Sequence, residues 1–521
     1  MPSLTLEVPH KSDVARKILA EIRSRVRMTE SRASSKWDKW RKAEETVGLY
    51  VTETEVDRVR KAEREGGAPT YTTVQIPYTY AVLMAAHTYF TSVFMARSPI
   101  FQYQARHGET AQQIQAIEAL MDYQVGVGAL LPPLYTWLHD AGKYGAGIIG
   151  NWWEDRYETI SSVQMQQQTD FFGNPVGAPV KMHNLARGKT YSGNRIYNVQ
   201  PWDFIWDTRY PIRDFQKGEY CGVRRKLAWN ELKRREKAGY YYNLESIPRS
   251  NHSEHAGSFG ASGLDRPDLY DTGAQWADHT DGFGTGHPKT PEIIELVIDI
   301  IPEEWRLSEN DWPEKWVFTC TSDYSALIGV QPHGALHAKF PYQVLTMEAE
   351  AYGLVPKGMP ETLEPIQQTI DWLVNSHFYN VRAALNNRLV VDPSRVVMKD
   401  VLNPLPGGAI RLKPTAFGQD IKMAVHQLQV VDVTQNHLRD LQMMYGMGER
   451  TMGVNDQIMG MLSTGGRKTA TEVRTSTSFG VNRLKTVAEY FSATGFDPLS
   501  QMMLQNTQQY YDAMQKFRIA G

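Results

Sequence analysis

Two cysteines in 521 residues, Cys221 and Cys320, leave no disulfide framework and suit assembly in a reducing cytoplasm. Positive charge is not in excess either. Lys+Arg number 56 against 58 Asp+Glu, for a formal net charge of -2, so the overall basic signature of a protein that grips nucleic acid is missing. Any contact with DNA is then local or loose. Only one charge-free run, Ile76 to Ala96, has the length of a membrane span. Pro77, His87, several aromatic residues and several Thr/Ser side chains interrupt it, so the reading is a buried helix and no membrane association. The opening residues MPSLTLEVPHKSDVARK show no positive region followed by a hydrophobic core, and no signal peptide is expected. A catalytic constellation is absent as well: acidic residues are plentiful, yet none forms a motif with a base, a nucleophile elbow or a metal spacing. The expectation is a protein that is not an enzyme and carries no cofactor or metal.

What is present points to folded cores. The 41% hydrophobic content at this length allows two to four domains. Asp13 to Tyr50 reads as helical, with Ile18, Leu19, Ile22 and Val26 on one face and Trp37, Trp40, Ala43 and Val47 continuing after a Ser-rich break. Helices over Tyr80–Met95, Gln112–Tyr123 and Leu134–Tyr144 complete a mostly helical block, residues 1–144. At Gly145 the period changes. Gly147–Trp153, Arg195–Val199 and Phe204–Trp206 read as strands of a mixed α/β block, residues 145–248, with a short helix over Ala228–Lys237. Residues 249–352 begin with a Gly/Ser/Asp/His/Pro-rich insertion and end as a β-rich unit with strands at Ile293–Ile301, Trp316–Cys320 and Ala326–Val330.

A long helix is expected within residues 353–390, from about Glu361 to Asn386. Leu363, Ile366, Ile370, Leu373, His377, Val381 and Leu385 step by threes and fours, and Gln367, Gln368, Asn375, Asn380 and Asn387 occupy the other faces. So few charges off the apolar stripe suggest helix-to-helix contacts between subunits, with Leu363, Ile366, Ile370, Leu373 and Val381 as the packing set. Residues 391–431 contain Pro404, Pro406, Gly407, Gly408, Pro414 and Gly418, which rule out a continuous helix; their cations are Lys399, Arg411 and Lys413. In residues 432–521, Thr469 and Glu472 are spaced as a capping box, and Asp497-Pro498 reads as the start of a second helix, so the chain is expected to end as a helical hairpin.

Three features invite functional readings and have plainer ones. GMLSTGGRKT resembles a phosphate loop, but counting from Gly460 puts Gly466 where the lysine belongs, and Lys468 and Thr469 come two residues late. His252, Glu254, His255, His279 and His287 have no spacing that fixes a metal tetrahedron, and an exposed loop accounts for them. Arg224, Arg225, Lys226, Lys233, Arg234, Arg235 and Lys237 form the most basic cluster, read as a solvated helix face ahead of a nucleic-acid contact.

The order of these elements carries more than any one of them. LEPIQQTIDWLVNSHFYNVRAALNNRLVVDP, LPGGAIRLKP and TATEVR, with YGAGIIGNWWED and VQPWDFIWDTRYPIRDF upstream, resemble the tailed-bacteriophage portal proteins, or head-to-tail connectors, from about Ile76 onward. One departure is the text YGMGERTMGVND, where many relatives carry a Thr-Gly-Val type turn. The resemblance implies an α+β subunit with a helical stem at 353–390, a mixed wing, a small β-rich clip sought at Ile293–Val330 and a C-terminal helical crown. It implies a homo-oligomeric ring of twelve at the portal vertex of a virion, assembled in the host cytoplasm, with double-stranded DNA passing non-specifically. Its implied partners are the terminase packaging motor, head-tail adaptor or tail proteins, and the major capsid and scaffolding proteins. Family position brings Lys399, Arg411 and Lys413 near the DNA channel, with a solvent-facing wing hairpin as the alternative. Two competing readings are another structural virion protein, such as an adaptor or internal core protein, and a nucleic-acid-processing enzyme using Gly446–Thr469 and the Arg224–Lys237 cluster.

Overall fold

Ser12 accepts the amide of Ala15 with its hydroxyl at 3.1 Å and so starts helix α1 (Asp13–Val47). Its buried face runs unbroken through Ile18, Ile22, Val26, Thr29, Ala33, Trp40 and Ala43. The Ser-rich break expected in mid-helix does not form, because small and hydroxyl side chains there let the helix lie close to a sheet. Thr29 donates its hydroxyl to the carbonyl of Trp206 at 2.8 Å.

The computed structural model describes residues 5–48, 74–105, 108–166, 180–247, 291–348, 352–385, 389–401, 410–416, 425–427, 437–454 and 483–511. The histidines of 249–289, the Asn403–Gly408 loop and the Thr469–Glu472 capping box lie outside these. The protein is mixed α and β, as expected for an α+β chain. It divides into two compact units, one of Met1–Gly48, Tyr80–Thr362 and Gly453–Gly521, the other of Leu49–Thr79 and Leu363–Met452.

In the first unit, α1 is followed by α2 (Tyr78–Met95), α3 (Ala111–Val127), α4 (Leu131–Tyr144), strands β1 (Ala146–Gln166), β2 (Val180–Val199), β3 (Phe204–Trp206) and β4 (Tyr220–Lys226), helix α5 (Trp229–Lys237) and strands β5 (Glu292–Ile300), β6 (Glu314–Thr321), β7 (Leu327–Pro332) and β8 (Tyr342–Thr346). Val82, Leu83, Ala86 and Phe90 bury α2 as expected, and no described helix is long and apolar enough to cross a membrane. Gly145 turns α4 into β1 with φ 83, where a Cβ would stand 2.3 Å from the carbonyl oxygen of Pro356. Only glycine fits there.

β3 to β7 form one antiparallel sheet in the order β3-β4-β5-β6-β7. The expected division at residue 249 therefore does not follow a sheet boundary: Ile293–Val330 is hydrogen-bonded to the strands before it. Alternation along β5 decides the two faces. Ile294, Leu296, Ile298 and Ile300 pack with Ile18, Ile22 and Val26 of α1, while Val297 joins Trp40, Tyr144, Phe204 and Tyr342 in a second core. Both cysteines are buried in this sheet and unbridged.

The second sheet has the order β2-β1-β8. β8 covers only Ala146 to Gly150 of β1, whereas β1 and β2 stay paired from Ile148↔Val199 out to Gln166↔Val180, with a bulge at Arg156/Tyr157. These strands are far longer than the sequence suggested. Over Tyr157–Ser161 and Leu185–Arg187 both ribbon faces meet solvent, so the apolar alternation that marks a strand fades.

The end of the chain corrects another expectation. Residues 483–510 are helical without a turn, and α8 (Asp497–Tyr510) follows directly from a π-helical segment, Ser492–Phe496. The amide of Asp497 bonds to the carbonyl of Ser492, five residues back. Pro498 has no amide and its ring crowds the preceding turn, and the wider π turn absorbs that conflict instead of ending the helix. No hairpin forms among these residues.

Candidate functional site

The second unit contains the long helix expected within residues 353–390. Helix α6 (Met359–Leu385) is followed by strand β9 (Leu389–Val391), a short helix Met398–Val401, strand β10 (Val425–Gln427) and helix α7 (His437–Met452). β9 and β10 pair antiparallel, Leu389↔Gln427 to Val391↔Val425.

Of the expected packing set, Leu363, Ile370 and Leu373 are buried and Ile366 is half-buried, but Val381 is 40% exposed. The stripe loses its cover at that end. What the apolar spacing did not disclose is a polar ladder on the same helix. Gln367, Asp371 and Asn375 stand one turn apart and hydrogen-bond an extended strap, residues 74–77, and the first turn of α2 that continues it, through side chains alone. Asn375 accepts the amide of Val74 at 2.8 Å and donates to its carbonyl at 2.9 Å. Asp371 accepts the amide of Ile76 at 2.9 Å, and Gln367 donates to the carbonyl of Ile76 at 2.7 Å and accepts the amide of Thr79 at 3.0 Å. Three side chains do what a neighbouring strand does elsewhere. Burial raises the pKa of Asp371, offset in part by the Ile76 amide and by Gln367. The i, i+4, i+8 spacing of amide and acid side chains was the signal available in the sequence.

That first turn of α2 also touches α7. Tyr78 donates its hydroxyl to the carbonyl of Tyr445 at 2.9 Å, and the two rings lie 5.1 Å apart. Gly448 makes room: a Cβ there would stand 2.1 Å from the Tyr78 hydroxyl. α7 continues through two glycines, Gly446 and Gly448, to Met452.

The outer surface of this unit is unusually apolar. Ten of the 24 large hydrophobic residues that are exposed among the described residues fall here, among them Trp372 at 64%, Tyr379, Val390, Met443 at 54% and Met447. The unit is much the smaller of the two, so this is a concentration and not a share in proportion. Scattered apolar residues need no explanation, but a cluster marks a surface meant to be covered.

The three expected channel cations share one short segment. Arg411 is 73% exposed along its side chain and grips Asp400 by Nε at 2.7 Å and by its terminal amine at 2.9 Å, and its own amide bonds to the same carboxylate. That pairing holds the Asp400 carboxyl down at about 2. Lys413 donates to the carbonyl of Pro393 at 2.8 Å, and Lys399 is exposed on the short helix. A single antiparallel bridge, Val396↔Leu412, ties this segment together.

The most basic cluster is divided between inward-facing and exposed residues. Arg224 is buried and paired with Glu30, and Arg225 pairs with Glu295 while lying 5.1 Å over the Tyr197 ring. Arg235 holds Glu231 at 3.2 Å and the Tyr241 hydroxyl at 2.8 Å. Strand β4 turns the first two inward, so the solvated-face reading holds only for residues such as Arg234, which is 70% exposed. Among the described residues, no three His, Cys, Asp or Glu side chains come together as a metal set.

Set against protein-family models, residues 73–521 match the one described as Phage SU10 portal protein. The chain belongs to the phage SU10 portal protein family. Portal proteins are structural components of bacteriophage virions in the line of DNA packaging, and the match begins at the strap and takes in both units. No curated protein matches the chain.

Proposed function

We propose that copies of this portal protein close into a ring at one capsid vertex, twelve by family precedent, through which double-stranded DNA is packaged and later ejected. The observation that carries this reading is the apolar surface concentrated on the second unit, where Trp372, Met443 and Met447 stay exposed in the isolated subunit. Head-to-tail contacts bury such a surface in every copy, and they close when the rotation per copy divides the circle. The ring then binds the terminase motor, later the head-tail adaptor or tail proteins, and sits among major capsid and scaffolding proteins.

Within this reading α6 is the stem helix and α7 its companion. The clip is better sought at residues 389–427 than at Ile293–Val330. The latter is part of a five-stranded sheet, whereas β9 and β10 make a separate small pair lying in sequence between two helices. The wing takes the two larger sheets with α1 to α5, and the crown follows the C-terminal helix. Lys399, Arg411 and Lys413 are assigned to the DNA path, with Asp400 moderating the charge of Arg411.

Negative-stain microscopy and sedimentation of the full chain test the ring. Closed rings are expected, and replacing Trp372 and Met443 by Ser is expected to weaken assembly while the subunit keeps its fold. Monomer alone across a wide range of protein and salt concentration would refute the reading.

A further inference from the structure

The segment joining β7 to β8 carries two histidines that the assembly reading leaves unused. His333 lies edge-on to Trp152 at 5.6 Å between ring centroids, and 5.4 Å from the ring of His337. Their hydrogen bonds define their protonation. His337 Nδ1 accepts the amide of Lys339 at 3.0 Å, so that nitrogen carries no proton. His333 Nε2 donates to the carbonyl of Lys339 at 3.1 Å, and its Nδ1 is enclosed without a hydrogen bond. Both rings are neutral in this arrangement.

The same segment clasps the C-terminal helix. Gln509 of α8 donates to the carbonyl of Gly334 at 2.6 Å and accepts the amide of Leu336 at 2.7 Å. Between His337 and Lys339, Ala338 has φ 49, a left-handed conformation that a residue with a Cβ rarely adopts. The two histidine hydrogen bonds to Lys339 hold it there.

The charges facing the pair are cationic. Lys315 of β6 opposes protonation of both rings, Lys339 of the segment itself opposes that of His337, and His337 opposes that of His333. Asp299 of β5 is engaged with Lys315 at 3.5 Å, and α8 presents the uncharged Gln509. We infer that residues 333–339 form an acid-sensitive latch: protonation of His333 and His337 expels them from their seats, frees Ala338 and releases the last turn of α8 through Gln509. Burial first, then His337 and Lys315, holds His333 down at about 3, and burial, then Lys339 and Lys315, holds His337 at about 4, against an ordinary value of 6.5. The closed latch is therefore fully stable above about 6.5 and loses stability as pH falls below it, because the open form takes up protons that the closed form refuses.

Hydrogen exchange on the full chain at pH 7.5 and 5.0, expressed as protection factors, reads the latch directly. Protection of the Leu336 and Lys339 amides is expected to fall by about tenfold or more, while the Val297 and Val317 amides of the sheet keep theirs. His333→Gln with His337→Asn, which retain a donor and an acceptor that do not titrate, should abolish the fall. If that pair does not fold, His337→Asn alone should reduce it. Constant protection at Leu336, loss only in step with Val297 and Val317, or an undiminished fall in the variants would each overturn the latch.

Discussion

The amide of Ile76 donates to the carboxylate of Asp371 across 295 residues of sequence, at 2.9 Å, in the middle of the ladder that holds the strap to α6. A carboxylate in that place costs stability at neutral pH. Its pKa is raised in the folded chain, so the penalty is absent below the ordinary value of 3.8, grows as pH rises through the folded value and is complete above it. Asp371→Asn keeps an acceptor for the Ile76 amide and cannot ionise; equal or greater stability than the parent at pH 7 is expected in urea unfolding. Asp371→Ala leaves that amide unpaired and is expected to cost about 1–3 kcal/mol.

Two glycines of α7 make a matched test of packing. A methyl at Gly448 meets the Tyr78 hydroxyl, and Gly448→Ala should lose about 1–3 kcal/mol as the ring is pushed aside. A methyl at Gly446 meets nothing within 4 Å, and Gly446→Ala should gain up to about 1 kcal/mol from helix propensity. Thermal melts that rank the two the other way would contradict the seating of Tyr78 against α7.

Asn194 of β2 lies at the centre of a buried polar cluster that anchors α8. It donates to Gln124 at 2.7 Å and to the carbonyl of Met503 at 3.0 Å, and accepts from Asn506 at 3.1 Å. Asn194→Leu preserves size but strands these partners in a dry site. A loss of about 3 kcal/mol or more is expected in the denaturant midpoint, with α8 becoming protease-sensitive first.

The channel assignment separates Arg411 from the two lysines. Asp400 already pairs with Arg411, so Arg411→Ala should change DNA retention less than Lys399→Ala combined with Lys413→Ala. Each lysine that meets a phosphate adds a salt-sensitive contribution, so the double variant should lower the salt dependence of genome retention in packaged particles. Retention identical to the parent at every salt concentration would place both lysines in solvent.

Much of the fold was legible from local spacing. Ile18, Ile22 and Val26 announced the buried face of α1, Leu363, Ile370 and Leu373 that of α6, and the Ile/Val/Trp-rich runs around Ile148, Ile205 and Leu296 announced strands. Each depends on which side chains share one face of one element, a property a few turns or pleats of sequence suffice to specify. The order of those elements also carried the family, because motif order survives where individual motifs are loose. Contacts between distant residues were beyond that reach. Whether Ile293–Val330 formed its own sheet or joined β4 depended on pairing across the long segment between Lys226 and Glu292. Whether Arg224 and Arg225 faced water or carboxylates depended on Glu30 and Glu295 arriving beside them. Gln367 and Asn375 looked like solvent-facing polar residues until the strap supplied the amides and carbonyls they bind. Helical period alone does not distinguish a polar side chain facing water from one facing another backbone, since both satisfy its hydrogen bonds; only the tertiary structure decides which partner is there.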